Sequence, residues 1–160
     1  MRRVRVGETT LLRNLRMASL RDAPSAFERT EAEMLAKPES FWTEMEKSVT
    51  DPERHVAFVA EDGSRAIGLA FGIRRDDGTG HLGGMWVDPT ARARGVGRAL
   101  GEAVIEWARK AAFPHLALWV TENNVAARTL YERLGFVDTR LRDRHPHNPA
   151  LLIAEMRLSL

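Results

Sequence analysis

The sequence contains no cysteine, and this absence excludes two kinds of chemistry. A chain without cysteine has neither a disulfide framework nor a thiolate nucleophile. Long apolar stretches are also missing, since no uninterrupted run is longer than Ala150 to Ala154, which is far below the roughly 20 residues that a membrane-spanning helix needs. No apolar stretch typical of a signal peptide follows Met1 to Arg5. We therefore expect a cytoplasmic protein without a membrane partner.

An excess of one charge is missing too. The chain has 24 lysine and arginine residues interleaved with 22 aspartate and glutamate residues, so no basic tail stands out and nucleic-acid binding is not expected. Its 160 residues are enough for one packed core without covalent cross-links. We predict a single domain over residues 1–160, and the sequence leaves a monomer and a homodimer both open.

Apolar residues recur with a helical period in the first part of the chain, after a short strand predicted at Arg3 to Val6. Threonine is a good N-cap, so Thr9 or Thr10 is predicted to begin the first helix. Two further helices are predicted at Glu28–Ala36 and Glu39–Val49.

From Val56 the hydrophobic period changes to two, which is typical of strands. Asp62-Gly63 and Asp77-Gly78 are strong signals for short hairpin turns, and together they predict an antiparallel meander. Its strands are predicted at Val56–Ala60, Ala66–Ile73 and His81–Val87.

After this meander the pattern becomes strand, helix, strand, which implies a parallel crossover. The helix carries apolar residues spaced by three and four between Ala99 and Ala111, and the next strand is the compact apolar run Leu116–Val120. The remaining elements are predicted to be a helix at Val125–Leu134 and strands at Val137–Leu141 and Leu152–Leu160. The fold class is therefore mixed α/β, with about six to seven strands and about four helices.

A glycine-containing turn, Arg92-Ala93-Arg94-Gly95-Val96-Gly97, lies between an apparent strand and a helix. Unpaired N–H groups at a helix N-terminus, together with the helix dipole, can hold a pyrophosphate there. Two other phosphate motifs fail: a dinucleotide fingerprint requires a third small residue where Leu100 stands, and a P-loop requires a Gly-Lys-Ser/Thr ending that is absent. By itself, the turn leaves open that its glycines only shape the chain.

A second segment runs from Asn124 through Ala127 and Tyr131 to Gly135-Phe136. If it is helical, Asn124, Ala127 and Tyr131 fall on one face, so that Ala127 leaves room where the phenol of Tyr131 reaches in. The alternative is an ordinary amphipathic helix in which Tyr131 belongs to the apolar stripe and Asn124 is the N-cap.

With both segments in this order and at this separation, the chain resembles the GNAT superfamily of acyl-CoA-dependent N-acetyltransferases. Met85-Trp86-Val87-Asp88-Pro89, ahead of the turn, is also similar to that family. The resemblance covers nearly the whole length. It implies a GNAT-like fold, with a central, twisted, mostly antiparallel sheet whose fourth and fifth strands form one parallel pair and splay apart. It also implies acetyl-CoA as the cofactor and the primary amine of a small molecule or peptide as the acceptor.

The resemblance further implies where the cofactor lies. Main-chain amides from Arg94 to Arg98 would hold the pyrophosphate, and the pantetheine would lie between Met85–Val87 and Leu118–Val120. Ala93 departs from the family, in which glycine often follows the motif's arginine, and alanine is tolerable there unless the residue needs a positive φ. The expected cofactor-binding residues are Met85, Trp86, Val87, Arg92, Ala93, Arg94, Gly95, Val96, Gly97, Arg98, Asn124, Ala127 and Tyr131.

Acyl transfer to an amine requires a base for the amine proton, a donor for the developing oxyanion and an acid for the departing thiolate. The resemblance implies Tyr131 as the acid, and a phenol suits this role because it stays protonated at neutral pH. The oxyanion contact is implied to be an amide of the fourth strand, at Val87 or a near neighbour. His81 and Glu122 are the candidate catalytic bases; either can instead be an ordinary residue at a strand end or a helix start.

The acceptor is expected to contact Phe27, Trp42, Trp119 and His145, although aromatic residues more often belong to a core. His145 and His147 lie in a predicted loop without a third ligand nearby in sequence, so no metal site is predicted. Without cysteine, transfer would occur directly in a ternary complex. The alternative to an enzyme is an acyl-CoA-binding module that keeps the fold without turnover and serves as a sensor or partner subunit.

Overall fold

Seven strands form one sheet in residues 1–51 and 53–160, the part of the chain that the computed structural model describes. They are β1 (Arg2–Arg3), β2 (His55–Asp62), β3 (Arg65–Arg74), β4 (Gly80–Val87), β5 (His115–Thr121), β6 (Val137–His145) and β7 (Asn148–Ser159). Their order is β1-β2-β3-β4-β5-β7-β6, and every neighbouring pair is antiparallel except β4 and β5. The predicted mixed α/β fold, mostly antiparallel with one parallel pair, is confirmed.

The described residues also form five α-helices, α1 (Thr9–Asp22), α2 (Glu31–Leu35), α3 (Glu39–Thr50), α4 (Val96–Lys110) and α5 (Val125–Arg133). One apolar cluster joins α4 and α5 to the sheet and includes Leu100 and Ala70. A second cluster joins α1, α2 and α3 to the sheet and includes Leu12 and Leu69. Because Leu69 and Ala70 are consecutive on β3, the two clusters lie on opposite faces of the sheet. None of the helices in the described ranges has the length and apolar character needed to cross a bilayer.

The start of α1 differs from the prediction. The N-cap is Glu8, and its side chain makes no capping hydrogen bond. Thr9 is the first helical residue, and its hydroxyl donates a hydrogen bond to the buried carboxylate of Glu46 on α3. The prediction that Thr9 or Thr10 caps α1 is therefore wrong, because the Thr9 hydroxyl joins two helices that are distant in sequence.

Two other elements near the N-terminus differ in extent. β1 is shorter than the predicted Arg3–Val6 and pairs with β2 through Arg2 and Arg3. α2 begins after Thr30, because that residue and Glu33 form a reciprocal capping box. The helix start predicted at Glu28 is therefore too early.

β6 and β7 form a longer hairpin than the sequence predicts. Their pairing reaches His145 and Asn148, so that His145 lies at the end of a strand rather than in a loop. Arg140, with a φ of 69°, lies in an irregular stretch between Asp138 and Arg142, where the register shifts. The hairpin carries His145 to the segment between α1 and α2, and this contact places it beside the site described below.

Candidate active site

A cleft opens between β4 and β5. The two strands pair only at the start of β4, through Gly80 and His81, and separate beyond this point. β4 also contains a β-bulge, because Gly84 and Met85 together face the single residue Ala70 of β3. The predicted splay of the parallel pair is therefore confirmed, and the bulge forms part of the β4 wall.

The N-terminus of α4 follows β4 after one turn of 3-10 helix at Pro89–Ala91. Gly95 is the N-cap of α4 and has a left-handed conformation with a φ of 81°. Within the described residues, no main-chain carbonyl accepts a hydrogen bond from the amides of residues 93–98. These unpaired N–H groups stand at the positive end of the helix dipole, an arrangement that can bind a pyrophosphate.

The two arginine side chains of this turn, and a third in the first turn of α4, are paired with carboxylates. Because all three are at least half exposed, such ion pairs contribute little stability and can be exchanged for phosphate oxygens. The pairs are Arg92 with Asp22, Arg94 with Asp62 and Arg98 with Glu102.

Ala93 has a positive φ, of 61°, which is the condition under which alanine is unfavourable at this position. We therefore expect Ala93→Gly to stabilise the protein. The left-handed conformation costs an L-residue about 1–2 kcal/mol, and the larger unfolded-state entropy of glycine offsets about 0.4–1 kcal/mol of the gain. Urea denaturation should show a net increase of up to about 1 kcal/mol in the free energy of unfolding.

The matched control is Ala91→Gly, two residues earlier. Ala91 is buried and has no positive φ, so its replacement should lower the free energy of unfolding. If Ala93→Gly is also destabilising, the left-handed conformation at residue 93 is not a source of strain.

Tyr131 lies on α5 with 8% of its surface exposed. Its ring packs edge-on against Phe136, with the ring centroids 5.9 Å apart, and its hydroxyl lies 3.9 Å from the sulfur of Met85 on β4. Burial raises the pKa of the phenol to about 12. The hydroxyl is therefore protonated at neutral pH and can donate to a group held between β4 and β5.

The other predicted cofactor contacts fall into two groups. Met85 and Val87 pack on the α4 face of the sheet, whereas the Trp86 ring lies on the opposite face and donates from Nε1 to the last residue of α1. Trp86 can therefore offer only main-chain atoms to the α4 side. Asn124 is the N-cap of α5, since its side-chain oxygen accepts from the amide of Ala127 at 3.1 Å.

A cavity of about 580 Å³, called the side cavity below, lies beside the cleft between the sheet, α1 and α3. Trp42, predicted at the acceptor site, does not line it, because this residue is fully buried between the helices and the sheet. The neighbouring Phe41 takes the cavity-facing position. The predicted site residues that do line the side cavity are Phe27, His81, Trp119 and His145.

His81 is arranged as a hydrogen-bond donor toward the side cavity. Arg75 donates to its Nδ1 at 3.0 Å, so the neutral ring carries its proton on Nε2. Burial, assisted by the charge of Arg75, lowers the pKa of His81 to about 4. A group with this pKa holds a transferred proton poorly at neutral pH, and its lone pair is already engaged. The geometry therefore does not favour His81 as a base.

Glu122 lies outside the side cavity. Its carboxylate is paired with Arg142 on β6, and its main-chain N–H donates to the carbonyl of Leu152 on β7 at 2.9 Å. These contacts join the end of β5 to the C-terminal hairpin. They favour a structural role for Glu122 over a role as base.

His145 and His147 hold the segment after α1 against the β6–β7 hairpin. His145 Nε2 donates to the carbonyl of Phe27 at 3.1 Å, and its Nδ1 accepts from the amide of His147 at 3.3 Å. His147 Nε2 donates to the carbonyl of Glu28 at 2.8 Å. The two rings therefore position Phe27 in the wall of the side cavity through main-chain contacts.

Sequence reasoning misses Arg16, whose side chain also lines the side cavity. Its guanidinium carbon lies 4.7 Å from the centroid of the Phe27 ring. A signal for this position was available, because Arg16 lies four residues after Leu12 and four before Leu20, both of which are fully buried. An arginine on the apolar stripe of a helix is either paired or in contact with a cavity.

The splayed parallel pair, the unpaired amides and the buried phenol are the features expected of an acyl-CoA-dependent acetyltransferase. Residues 17–136 match the model of the acetyltransferase (GNAT) family, and the chain belongs to this family. Ribosomal protein bS18-alanine N-acetyltransferase from Escherichia coli strain K12 is 33% identical over 102 residues, which are 63% of this chain and 68% of that protein.

Mycothiol acetyltransferase from Geodermatophilus obscurus is 35% identical over 85 residues, 49% of this chain and 28% of that protein. The chain thus spans less than a third of the length of the mycothiol acetyltransferases that it matches.

Two solved structures share the fold over 99% of this chain. One is a GCN5-related N-acetyltransferase from Kribbella flavida, with a TM-score of 0.79, 21% identity and 96% of that chain covered. The other is yncA from Salmonella typhimurium, solved with its cofactor acetyl-CoA, with a TM-score of 0.80, 18% identity and 92% of that chain covered.

Proposed function

We propose that the protein is an N-acetyltransferase that transfers the acetyl group of acetyl-CoA directly to a primary amine within a ternary complex. The observation that carries this proposal is the succession of three features along one cleft. These are the unpaired amides of residues 93–98, the opening between β4 and β5, and the phenol of Tyr131 against Met85. Family membership supports the same reaction class.

The residues present fit acetyl-CoA, which supplies the acyl group as a reactive thioester. The amides of residues 93–98 would hold its pyrophosphate at the positive end of α4. Met85 and Val87 on the β4 side, and Val120 on the β5 side, would line the pantetheine arm with apolar side chains, while Leu118 is fully buried behind them.

In the proposed reaction a carbon–nitrogen bond forms and a carbon–sulfur bond breaks. Tyr131 protonates the departing sulfur, and an amide of β4 at Val87 or a near neighbour donates to the developing oxyanion. The proton of the amine passes to water in the side cavity. Neither predicted base is suited to take it, because Arg75 engages the lone pair of His81 and Glu122 lies outside the cavity.

Binding and turnover test this function separately. Acetyl-CoA at about 100 times its Kd should stabilise the protein by about 2.7 kcal/mol in thermal unfolding, whereas NAD and ATP at the same concentration should act weakly. An assay of thiol release should then identify acceptors in a panel of amino acids, polyamines, aminoglycosides and peptides. Tight binding without thiol release from any of these amines would support the non-catalytic module instead.

The amide turn itself is tested by Val96→Pro. Proline at the first helical position removes one unpaired N–H, but it disfavours the ψ of 0° at Gly95, so circular dichroism and the thermal midpoint have to verify that the variant keeps α4. A hydrogen bond to a charged group contributes about 1.5–3 kcal/mol, which predicts roughly 10-fold to 100-fold weaker acetyl-CoA binding by calorimetry. Val96→Ala keeps the amide and is the matched control. Equal affinity of the proline and alanine variants would contradict the assignment of this amide.

A further inference from the structure

In the part of the chain that the structure describes, the side cavity contains a positive charge without a hydrogen-bonded partner. Arg16 Nη1 is buried and has no hydrogen-bond acceptor among the described residues. The face of the Phe27 ring covers the guanidinium but offers its N–H groups no conventional acceptor. Glu28 acts on Arg16 through space only, without a hydrogen bond.

Such a charge destabilises a fold unless something completes its hydrogen bonds. A buried ion without a partner loses hydration that ring stacking replaces only in part. Burial lowers the pKa of Arg16 to about 10, so the guanidinium is still charged at neutral pH. Arg13, earlier on the same helix, is half-buried, and a carboxylate oxygen of Glu39 lies 2.9 Å from its Nη1. The contrast indicates that the partner of Arg16 is an anion that enters the side cavity.

The Arg16 guanidinium reaches the wall at which transfer is proposed. Its Nη1 lies 3.6 Å from the point where a Cβ on Gly84 would stand. Gly84 immediately precedes Met85, whose sulfur lies 3.9 Å from the Tyr131 hydroxyl. An anion bound to Arg16 would thus lie against the β4 main chain on the α1 side of the sheet, the side from which an acceptor in the side cavity would present its amine to the cleft. In an α-amino acid the amine nitrogen and the carboxylate oxygens are on the order of 3 Å apart, which suits this arrangement.

The rest of the side cavity is mostly apolar. Four other charged residues also line it, but Glu28, Arg29 and Arg54 are exposed and Glu44 is paired with Lys47 at 2.7 Å. Neither carboxylate accepts a hydrogen bond from the buried Nη1 of Arg16. A largely apolar pocket in which one guanidinium nitrogen is buried without an acceptor favours an apolar ligand that carries an opposite charge. The apolar walls are formed by Phe41, Met45, Val49, Phe71, Ile73 and Ile153.

We propose that the acceptor is a free α-amino acid with an apolar side chain. Its carboxylate pairs with Arg16, its side chain lies against the apolar walls, and its amine faces the cleft between β4 and β5. This inference rests on the proposed function and narrows its substrate class. A peptide N-terminus does not meet the same condition, because the carbonyl next to its amine belongs to an uncharged amide.

The experiment compares matched pairs of acceptors by thiol release from acetyl-CoA. The pairs are L-methionine with L-methioninamide and L-phenylalanine with L-phenylalaninamide, and the tripeptide Met-Ala-Ala is a further acceptor. The amide's amine is less basic and more often neutral, so intrinsic reactivity opposes the acid and a preference for the acid reports recognition. A charge-assisted contact of about 1.5–3 kcal/mol predicts at least a 10-fold higher kcat/KM for each acid.

Arg16→Met tests the residue, with Arg13→Met as the matched control on the same helix. The ratio of kcat/KM for the acid to kcat/KM for the amide should fall toward one in Arg16→Met. In Arg13→Met this ratio should stay as in the wild type. Thermal unfolding of Arg16→Met should show a higher midpoint than the wild type, since an unpaired buried charge is gone, which also verifies that the variant folds. L-methionine should raise the midpoint of the wild type more than L-methioninamide does, and this difference should vanish in Arg16→Met.

These readouts separate the two proposals. A wild type that prefers the amides or the tripeptide, or a ratio that Arg16→Met leaves unchanged, overturns the amino-acid acceptor while acetyl transfer stands. Thermal stabilisation by L-methionine that depends on Arg16, without thiol release from any amine, overturns acetyl transfer but supports the carboxylate site. If the wild type shows neither stabilisation by L-methionine nor thiol release, both the amino-acid acceptor and acetyl transfer are overturned.

Discussion

Replacing Tyr131 with phenylalanine is expected to lower kcat by about 10²-fold to 10³-fold while acetyl-CoA affinity stays within about a factor of two of the wild type. The departing thiolate has to be protonated, and the phenol against Met85 is the donor that the cleft offers. Burial raises its pKa to about 12, so this donor is protonated at neutral pH.

The substitution removes one oxygen and keeps the rest of the packing. The ring contact with Phe136 remains, and the hydroxyl loses only a long contact to the Met85 sulfur at 3.9 Å. The free energy of unfolding should therefore change by less than about 1 kcal/mol. Steady-state kinetics at saturating acetyl-CoA, with thermal unfolding as the folding control, measure both effects. A folded variant with the kcat of the wild type would remove Tyr131 from the mechanism.

The environment of this phenol can also be measured directly, because Tyr131 is the single tyrosine of the chain. The ultraviolet absorbance of phenolate should rise with a midpoint near the pKa of about 12 given by burial, well above the ordinary value of about 10. Circular dichroism at each pH verifies that the titrated protein is still folded. A midpoint near 10 in folded protein would mean that water reaches the hydroxyl.

The parts of the fold that the sequence predicts well are those determined by neighbouring residues. Asp62-Gly63 and Asp77-Gly78 mark turns in which Gly63 and Gly78 have the positive φ that such turns require. The alternating runs before, between and after these turns become β2, β3 and β4. The turn before α4 is predictable for the same reason, since Gly95 fits a left-handed N-cap.

The parts that the sequence does not predict depend on contacts between distant residues. Thr9 is a good capping residue, but its hydroxyl bonds to Glu46 on another helix. Trp42 has the chemistry of a substrate contact, but three helices and the sheet enclose it. His81 has the ordinary chemistry of a base until Arg75 occupies its lone pair. In each case the residue type is informative, and the neighbour that decides its role is set by the fold.

The pair Gly83-Gly84 within a predicted strand is a local signal for an irregularity in β4. Glycine inside a strand often marks a bulge or a close approach of other atoms. Here both apply to Gly84, which has a φ of 58° and lies at the bulge of β4. A Cβ at this position would stand 2.6 Å from Cδ2 and 3.0 Å from Cε2 of Phe71.

Gly84→Ala is therefore expected to lower the free energy of unfolding by about 2–4 kcal/mol. The left-handed conformation contributes about 1–2 kcal/mol of this loss, and the clash with Phe71 contributes about 1–3 kcal/mol. For a chain of this size the thermal midpoint should fall by roughly 10 °C. Gly83→Ala is the matched control, since Gly83 has no positive φ and the nearest atom is a terminal methyl of Ile73 at 3.3 Å. Gly83→Ala should lower the free energy of unfolding by less than about 1 kcal/mol.

A double-mutant cycle with Phe71→Leu separates the two causes. The smaller side chain removes the clash but not the backbone strain, so Gly84→Ala should cost only about 1–2 kcal/mol in the Phe71→Leu background. An equal cost in both backgrounds would mean that Phe71 moves aside without penalty. A cost below about 0.5 kcal/mol in the wild-type background would mean that residue 84 does not need a left-handed conformation. In that case the bulge would not depend on glycine, and the β4 wall beside Arg16 would tolerate a side chain.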